Sequence, residues 1–312
     1  MLDINHVLFP TDFSEGAEPA FPQAVHFAEW HDATLHILNV RTSAQPDDLD
    51  TTREFPVPFS TMQGWLDRAG HDDANGPSLK NVEIEQTQVD SAAPPEAIVD
   101  FVEGQGIDLI VMGTHGRRGL DRVRFGSVTE EVVRTAPAPV LTVQADAPSS
   151  VRTVRRVLTP IDFSDASETA LRHAKEIALT QGAEIDLLHV VDKPMFPSAY
   201  GVDSAEVSTE ELLDKAEQGL GDLARDIVGH EHAMVKAVAG HPVEEILNYV
   251  EKNDVDLLVI ATHGRTGLNR LLIGSVAERV IRQSPIPVFL VKPERASLLS
   301  GATEQEATAE VE

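Results

Sequence analysis

Cysteine is absent from this sequence of 312 residues. The protein therefore has no disulfide bond, no thiolate metal ligand and no catalytic thiol, although a lack of cysteine does not by itself prove a reducing compartment. Long apolar runs are also missing, since no segment approaches the roughly 18–20 apolar residues of a membrane helix. The opening residues, from Met1 to His6, lack the basic start and apolar stretch of a signal peptide. We therefore expect a soluble, cytoplasmic protein.

Positive charge is scarce. There are 25 basic and 51 acidic residues, which gives a formal net charge of −26. Such a field repels nucleic acids and anionic membranes, so we expect neither as a partner. Only 7 of the basic residues are lysines, and aromatic residues make up 5% of the chain. This composition is typical of proteins in concentrated salt, which screens repulsion between carboxylates, and we interpret the chain as halophilic. An ordinary acidic cytosolic protein is the alternative.

The two halves of the sequence repeat each other. Residues 7–14 (VLFPTDFS) and 157–164 (VLTPIDFS) share six of eight residues, at an offset of 150. Residues 108–128 and 256–276 share 13 of 21 residues, at an offset of 148. Because the order is kept and the period has the size of a domain, the pattern indicates a duplicated domain and not a solenoid.

The duplication predicts two domains and a tail. The first copy is expected over residues 1–146 and the second copy over residues 152–293. The stretch 144–154 contains Pro148 and two serines and is the predicted linker. Residues 294–312 lose apolar periodicity and are predicted to be a disordered acidic tail.

Short apolar runs alternate with amphipathic stretches of helix length in each copy. This pattern favours βαβ units and a parallel sheet that is covered by helices on both faces, so the predicted fold class is α/β with two tandem doubly wound domains. The predicted strands are 5–9, 34–40, 82–89, 108–112 and 139–143 in the first copy, and 155–159, 184–190, 232–238, 256–260 and 287–291 in the second. The predicted helices are 15–31, 94–104 and 126–136, and 165–181, 242–253 and 274–283.

One region differs between the copies. In the second copy, Ser208-Thr209-Glu210-Glu211 is a capping box that predicts a long helix to about Val228. The matching stretch of the first copy, residues 46–80, is rich in Pro, Asp and Gly and contains Trp65. We expect a partly irregular, mobile excursion there.

The strongest functional signal is a pair of glycine motifs that follows a strand of buried type. Gly113-Thr114-His115-Gly116 is separated by nine residues from Gly126-Ser127-Val128-Thr129, which begins a helix. Small residues let a ligand approach the backbone, and the amides at a helix start attract anions. The hydroxyls of Ser127 and Thr129 would add donors that suit phosphate oxygens. The alternative is an ordinary turn with glycine for sharpness and serine as the helix cap.

Arginines cluster in the loop between the two motifs. Between Thr114 and Arg124 there are four arginines and one aspartate, and between Thr262 and Leu272 there are two arginines and no acid. Such positive islands would attract a polyphosphate to a protein that otherwise repels it. The alternative is a solvated loop whose arginines pair with nearby carboxylates. The arginines are Arg117, Arg118, Arg122, Arg124, Arg265 and Arg270.

Asp12 and Asp162 follow the first strand of each copy, where a doubly wound fold places groups that face a ligand. Each could accept a hydrogen bond from a ribose hydroxyl or hold a cation through water. Capping of the next helix is the rival role, for which Ser14 and Ser164 compete.

Several other motifs are absent or incomplete. The sequence has no G-x-x-x-x-G-K-[ST] phosphate loop and no G-x-S-x-G nucleophile motif. Gly104-Gln105-Gly106 precedes a strand and lacks the third glycine of a dinucleotide fingerprint. His230-Glu231-His232 has no third ligand at a readable spacing, and we interpret it as a solvated cluster. No catalytic residue and no metal ligand is predicted.

These motifs resemble those of the universal stress protein family, in its ATP-binding branch. The resemblance lies in Pro10-Thr11-Asp12, Val40, Met112-Gly113-Thr114-His115-Gly116 and Gly126-Ser127-Val128-Thr129. It spans roughly residues 1–144 and 152–292, as in a tandem member of the family. It implies a five-stranded parallel sheet of order 3-2-1-4-5 in each copy, with adenine nucleotides bound above the strand ends.

Carried over residue by residue, the resemblance implies a site for ATP or AMP, with or without Mg²⁺. Val40 would border the adenine and Asp12 the ribose, while the glycine motifs would hold the phosphates. The implied residues of the first copy are Pro10, Thr11, Asp12, Val40, Met112, Gly113, His115, Gly116, Gly126, Ser127, Val128 and Thr129. Those of the second copy are Pro160, Asp162, Val190, His263, Gly264, Gly274 and Ser275.

The second copy departs from this pattern at three positions. Thr11, Gly113 and Thr129 of the first copy correspond to Ile161, Ala261 and Ala277. The second site thus gains one Cβ atom and loses two hydroxyls. Each lost hydroxyl could remove a hydrogen bond, so these departures predict nucleotide binding at the second copy that is weaker by roughly tenfold or more.

The last strand of each copy is apolar and is expected to need cover. Since members of the family dimerise partly through this strand, we expect the copies to pair as an internal pseudo-dimer, and a further homodimer is an additional expectation. The leading functional hypothesis is a stress-response or signalling protein whose nucleotide regulates an unknown protein partner. The alternatives are a slow ATPase or phosphotransfer enzyme and a scaffold that binds no nucleotide.

Overall fold

A computed structural model gives the structure of the chain. It describes residues 2–42, 55–69, 77–114, 126–145, 154–192, 208–229, 233–263, 273–292 and 298. Both predicted copies fold into alternating strands and helices within these residues.

The first copy contains five strands and four helices among the described residues. The strands are β1 (His6–Pro10), β2 (Thr34–Arg41), β3 (Ile84–Asp90), β4 (Leu109–Gly113) and β5 (Val140–Val143). The helices are α1 (Ala20–His31), α2 (Phe59–Ala69), α3 (Pro94–Gln105) and α4 (Ser127–Thr135).

The second copy repeats this order. Its strands are β6 (Arg156–Pro160), β7 (Glu184–Asp192), β8 (Ala233–Gly240), β9 (Leu257–Ala261) and β10 (Val288–Val291). Its helices are α5 (Asp165–Gln181), α6 (Thr209–Leu223), α7 (Pro242–Lys252) and α8 (Ser275–Gln283).

All ten strands form one sheet, in the order β3-β2-β1-β4-β5-β10-β9-β6-β7-β8. When the strands of each copy are numbered 1–5 and read from the outer edge of the sheet towards the junction, both copies have the order 3-2-1-4-5. Neighbouring strands are parallel inside each copy, and β5 and β10 pair antiparallel. The predicted fold class, two tandem doubly wound α/β domains, is confirmed.

The copies meet through their last strands, as the sequence predicts. Val140 pairs with Leu290 and Thr142 with Val288 at this junction. The side chain of Lys292 extends the contact by donating to the carbonyl oxygen of Ala136 at 2.6 Å. Since an apolar edge strand is a template for aggregation, the antiparallel pairing protects both edges at once.

The sheet is covered on both faces because its strands are apolar on both sides. All five residues of β4 are buried. Leu109 and Val111 face one core, which contains residues of α1, α2, α5 and α6, whereas Ile110 and Met112 face a second core with residues of α3, α4, α7 and α8. Burial on both faces is what continuous apolar strands require.

Helix α1 begins at Ala20, five residues later than the sequence predicts, whereas its counterpart α5 has the predicted bounds. Proline explains the difference, because it lacks the amide hydrogen that a helix interior needs. Starting at Ala20 places Pro22 in the first turn, where amides have no partner inside the helix. In the second copy, Ser164 caps α5 by accepting a hydrogen bond from the amide of Ser167.

The expectation of a partly irregular stretch at 46–80 missed α2. Trp65 lies on this helix and is buried against Phe9 and Phe21, so its aromatic side chain fixes the helix on the sheet. The predicted capping box of α6 is confirmed, with both Ser208 and Glu211 bonded to backbone amides. Residues 146–153 of the predicted linker and, apart from Leu298, the predicted tail lie outside the described residues.

Helices α1 and α5 also meet across the junction, through His26 and Gln181. The amide nitrogen of Gln181 lies 3.3 Å from Nε2 of His26. Burial lowers the pKa of His26 to about 4, against opposing effects of Glu29 and of the Gln181 hydrogen bond. Because burial outweighs the opposing effects, the neutral ring of His26 is the favoured form in the folded protein.

This contact predicts acid destabilisation of the first copy. Because the pKa of His26 is lower in the folded state, its contribution is complete above about pH 6.5 and is lost as the pH falls towards 4. We expect a loss of about 2 kcal/mol over this window and a smaller loss in His26→Gln. Urea unfolding checks this through the fluorescence of Trp30 and Trp65, which both belong to the first copy. An equally steep pH dependence in the variant would contradict the assignment to His26.

Candidate functional site

Strands β1 and β4 are neighbours and end at the same edge of the sheet. Beyond β1, the amide of Thr11 donates to the carbonyl of Leu38, and beyond β4 the amide of Thr114 donates to the carbonyl of Val143. Asp12 therefore leaves the sheet beside the segment that follows Gly113. This edge, at the carboxyl ends of parallel strands, is where doubly wound folds bind ligands.

Asp12 and Asp162 both stabilise the turn that follows their strand. Oδ1 of Asp12 accepts a hydrogen bond from the amide of Ser14 at 2.9 Å, and Oδ1 of Asp162 accepts one from the amide of Ser164 at 3.1 Å. The turn also needs a positive φ at the intervening residue, which is 59° at Phe13. One carboxylate oxygen of each aspartate thus has a structural role in the turn. Neither aspartate has the helix-capping role that the alternative supposed, because Ser164 caps α5 and α1 has no side-chain cap.

The start of α4 offers three amides to a ligand. The amide of Gly126 donates to the carbonyl of Thr114 at 2.7 Å, and the first helical hydrogen bond comes from Glu130. No side chain caps the helix. Among the described residues, none accepts a hydrogen bond from the amides of residues 127–129. Amides in this position are the donors that anions bind at helix starts.

Helix α8 repeats this arrangement in the second copy. Gly274 donates to the carbonyl of Thr262 at 2.7 Å, and α8 has no side-chain cap. Gly126 and Gly274 have φ values of −64° and −59°, which any residue adopts. A special backbone conformation is therefore not the reason for glycine at either position.

The hydroxyls of Thr11 and Thr129 bind the protein's own backbone. Oγ1 of Thr129 is buried and donates to the carbonyl of Gly113 at 2.8 Å, which ties α4 to β4. Because a hydroxyl has one proton, this bond takes the donor that the sequence analysis assigned to phosphate. Oγ1 of Thr11 accepts from the amide of Phe13 at 3.0 Å. The loss of the Thr129 hydroxyl in the second copy therefore does not support the expected tenfold weaker binding.

A neighbouring turn requires glycine at position 113. A Cβ atom at Gly113 would overlap the carbonyl oxygen of Gly16 and lie 3.0 Å from Cα of Ala17. The segment before α1 thus packs directly on the end of β4. In the second copy, α5 begins at Asp165 and the corresponding residue is Ala261.

The apolar members of the implied site line one side of this edge. Val40 and Val128 are partly buried and pack against the second core, in which the side chain of Met112 is buried. Pro10, the last residue of β1, is also buried. Val190 holds the position of Val40 in the second copy and packs in the same way.

Other predicted site residues fall outside the described residues. These are His115, Gly116, Gly264 and the arginines Arg117, Arg118, Arg122, Arg124, Arg265 and Arg270. His263 is described: it follows β9, and its Nδ1 lies 2.9 Å from Oγ1 of Thr262. Nε2 of His263 is buried and has no hydrogen-bond partner in the described part of the chain.

The second copy contains a cavity of about 500 Å³ at this edge. Two of its residues, Asp162 and Val190, belong to the site that the resemblance implies. Sequence analysis missed the others because they lie on α6 or beside the motif positions, where no motif marks them. The lining residues are Asp162, Phe163, His189, Val190, Val191, Asp192, Leu212, Lys215 and Ala216.

Two buried titratable residues occupy equivalent strand positions away from this edge. Burial lowers the pKa of His36 in β2, despite the opposing charge of Glu85. Burial raises the pKa of Asp186 in β7, although it accepts a hydrogen bond from the hydroxyl of Tyr249. Both belong to the packed interior of the sheet.

A metal-binding cluster and a membrane-spanning helix are both absent from the described ranges. No three histidine or carboxylate side chains there are grouped closely enough to hold a metal ion. None of the helices in those ranges has the length and apolar character needed to cross a membrane.

A family model described as "Universal stress protein family" matches residues 3–144 and 153–292. A universal stress protein of Methanocaldococcus jannaschii is 33% identical over 154 residues, covering 44% of this chain and 94% of its own length. A universal stress protein of Synechocystis is 24% identical over 307 residues, covering 92% of this chain and 99% of its own. The match to the second protein spans both copies.

Solved structures share the fold. The crystal structure of a universal stress protein from Archaeoglobus fulgidus matches with a TM-score of 0.61 and 22% identity, covering 93% of this chain and 98% of that one. At this level of identity the match supports the two-domain architecture alone.

Proposed function

The chain belongs to the universal stress protein family, and from this membership we propose that it binds an adenine nucleotide, ATP or AMP, at the carboxyl edge of the sheet. We propose further that the bound nucleotide regulates an unidentified protein partner in a stress response. The residues at the sheet edge support the proposal of nucleotide binding. The family resemblance supports the proposal that the nucleotide regulates a partner.

The uncapped start of α4 is the observation that carries the nucleotide proposal. Three consecutive amides, at Ser127, Val128 and Thr129, have no acceptor among the described residues, and the helix dipole adds a partial positive charge there. Phosphate oxygens are negatively charged acceptors and satisfy both conditions. The hydroxyl of Ser127, an exposed residue, is a further donor at the same place.

The remaining parts of a nucleotide have matching groups along the same edge. Val40 and Val128 supply partly buried apolar surface for a base, and Asp12 supplies carboxylate oxygen for ribose hydroxyls. The arginines between Thr114 and Gly126 would offset the repulsion between a polyphosphate and a protein of charge −26. A Mg²⁺ ion would enter with the phosphates, whose oxygens are ligands that Mg²⁺ prefers.

Calorimetric titration of the full chain tests this function. We expect ATP or AMP to bind at least about tenfold more tightly than UTP or UMP, with or without Mg²⁺. Gly116→Val should abolish binding by filling the space that the phosphates need. Equal affinity for adenine and uracil nucleotides, or unchanged affinity in the variant, would contradict the proposal. In a parallel assay with Mg²⁺, we expect the protein to bind ATP without hydrolysing it over multiple turnovers.

A further inference from the structure

The two copies differ in how they cover the residue that follows Asp12 or Asp162. In the first copy, Trp65 of α2 stacks on Phe13, with ring centroids 6.5 Å apart and planes inclined by 27°. Phe13 is 8% exposed as a result, whereas its counterpart Phe163 is 40% exposed. The aromatic ring that is buried in the first copy therefore remains accessible in the second.

A glycine on α6 accounts for this difference. Trp65 directly precedes the buried Leu66, and Gly219 directly precedes the buried Leu220. A Cβ atom at Gly219 would lie 3.0 Å from Cε1 of Phe163, so the ring lies directly against the helix backbone. Without an indole at this position, residues of α6 and Phe163 line an open cavity of about 500 Å³.

His189 contributes a hydrogen-bond acceptor to the cavity. Its Nδ1 lies 2.7 Å from the carbonyl oxygen of Ile161. A carbonyl only accepts, so Nδ1 carries the proton, and Nε2 of the neutral ring is an acceptor. No described residue donates to Nε2. The ring of His189 also lies beside Phe163, with centroids 4.7 Å apart.

The corresponding residue of the first copy, Asn39, has no such acceptor to offer. Its amide nitrogen donates to the carbonyl of Thr11 at 2.8 Å, and its oxygen accepts from Gln88 at 2.9 Å. Asn39 is also buried. Both polar atoms of this side chain thus bind the protein itself.

We propose that the cavity of the second copy receives the base of a purine nucleotide and that Nε2 of His189 selects a 6-amino group over a 6-oxo group. The volume suits a small-molecule site, and Phe163 provides a ring on which a planar base can stack. A base in that position reaches His189, whose acceptor pairs with the amine of adenine and repels the oxygen of hypoxanthine. The inference rests on the proposed function and assigns base selection to a residue of the second copy.

Photolabelling of the full chain with 8-azido-AMP tests the inference, because digestion separates peptides of the two copies. We expect label on the peptides that contain Phe163 and His189, and competition by AMP about fivefold more effective than competition by IMP. His189→Asn keeps a donor for the carbonyl of Ile161 but removes Nε2, so AMP and IMP should compete equally. His241→Asn is the matched control, since it makes the same substitution at an exposed histidine outside the cavity lining and should leave the preference for AMP unchanged.

The outcomes separate this inference from the proposed function. If calorimetry detects adenine nucleotide binding but the second-copy peptides carry no label, the inference is wrong and the proposed function stands. Equal competition by AMP and IMP in the unmodified chain, or an unchanged preference in His189→Asn, also overturns the selection by His189. Absence of any nucleotide binding to the chain would instead contradict the proposed function.

Discussion

Gly113→Ala is expected to destabilise the first copy by about 3 kcal/mol, because the added Cβ would overlap the carbonyl oxygen of Gly16. Neither side of this contact is a flexible side chain: β4 is an interior strand of the first copy's sheet, and Gly16 belongs to the turn before α1. The overlap can therefore be relieved only by a shift of backbone. Urea unfolding without nucleotide, followed through Trp30 and Trp65, measures the effect in the first copy alone.

The second copy supplies the matched control for this substitution. Ala261 occupies the position of Gly113 and is buried without conflict. Ala261→Gly should change the free energy of unfolding by no more than about 1 kcal/mol. If Gly113→Ala left stability unchanged but weakened nucleotide binding, Gly113 would face the ligand, as the sequence analysis first supposed.

Ser127→Pro is expected to weaken ATP binding by about tenfold or more while the fold remains intact. Proline at the first helical position removes an amide that has no partner inside the helix, so α4 should form normally. The residue before proline must be extended, and Gly126 already has φ −64° and ψ 134°. An amide that binds a charged phosphate contributes about 1.5–3 kcal/mol, which corresponds to the expected loss.

Ser127→Ala separates the amide from the hydroxyl. It retains the amide and removes only Oγ, so we expect a smaller loss of affinity than in the proline variant. Ser275→Pro is the equivalent change in the second copy, where Gly274 is also extended. Calorimetry with ATP measures each variant, and a thermal melt confirms folding. Full affinity in a folded double variant, with both Ser127→Pro and Ser275→Pro, would exclude these amides as the phosphate site.

The architecture was predictable from the sequence because it depends on features that repeat. Buried strands such as β4 are short, continuous apolar runs, and the duplicated Asp12 and Asp162 segments align without a gap. Each strand and helix pattern occurs in both copies, so the second occurrence supports the interpretation of the first. The pairing of β5 with β10 was expected because both edges are apolar and because members of the family that the motifs resemble dimerise partly through this strand.

Packing partners were not predictable in the same way. The sequence shows that Gly113 is small, but the reason lies in Gly16, almost one hundred residues earlier in the chain. The same holds for Thr129, whose hydroxyl was assigned to phosphate but donates to the carbonyl of Gly113. A motif indicates which residue types are required and leaves open whether a ligand or another segment requires them.

The cavity of the second copy was missed for a related reason. The cavity exists because Gly219 of α6 takes the position that Trp65 has in α2 of the first copy. No motif marks either residue. The helical spacing of Leu212, Ala216 and Gly219 was visible, but the contact of this helix face with Phe163 depends on the tertiary structure. Differences between duplicated segments are thus as informative as their identities.

A crystal structure of the full chain grown with ATP tests the central claim most directly. We expect phosphate oxygens within hydrogen-bond distance, about 3 Å, of the backbone nitrogens of Ser127, Val128 and Thr129. The adenine should lie beside Val40 and the ribose beside Asp12. An ordered nucleotide whose phosphates make no contact with the start of α4 or of α8 would contradict the claim that these helix starts bind phosphate.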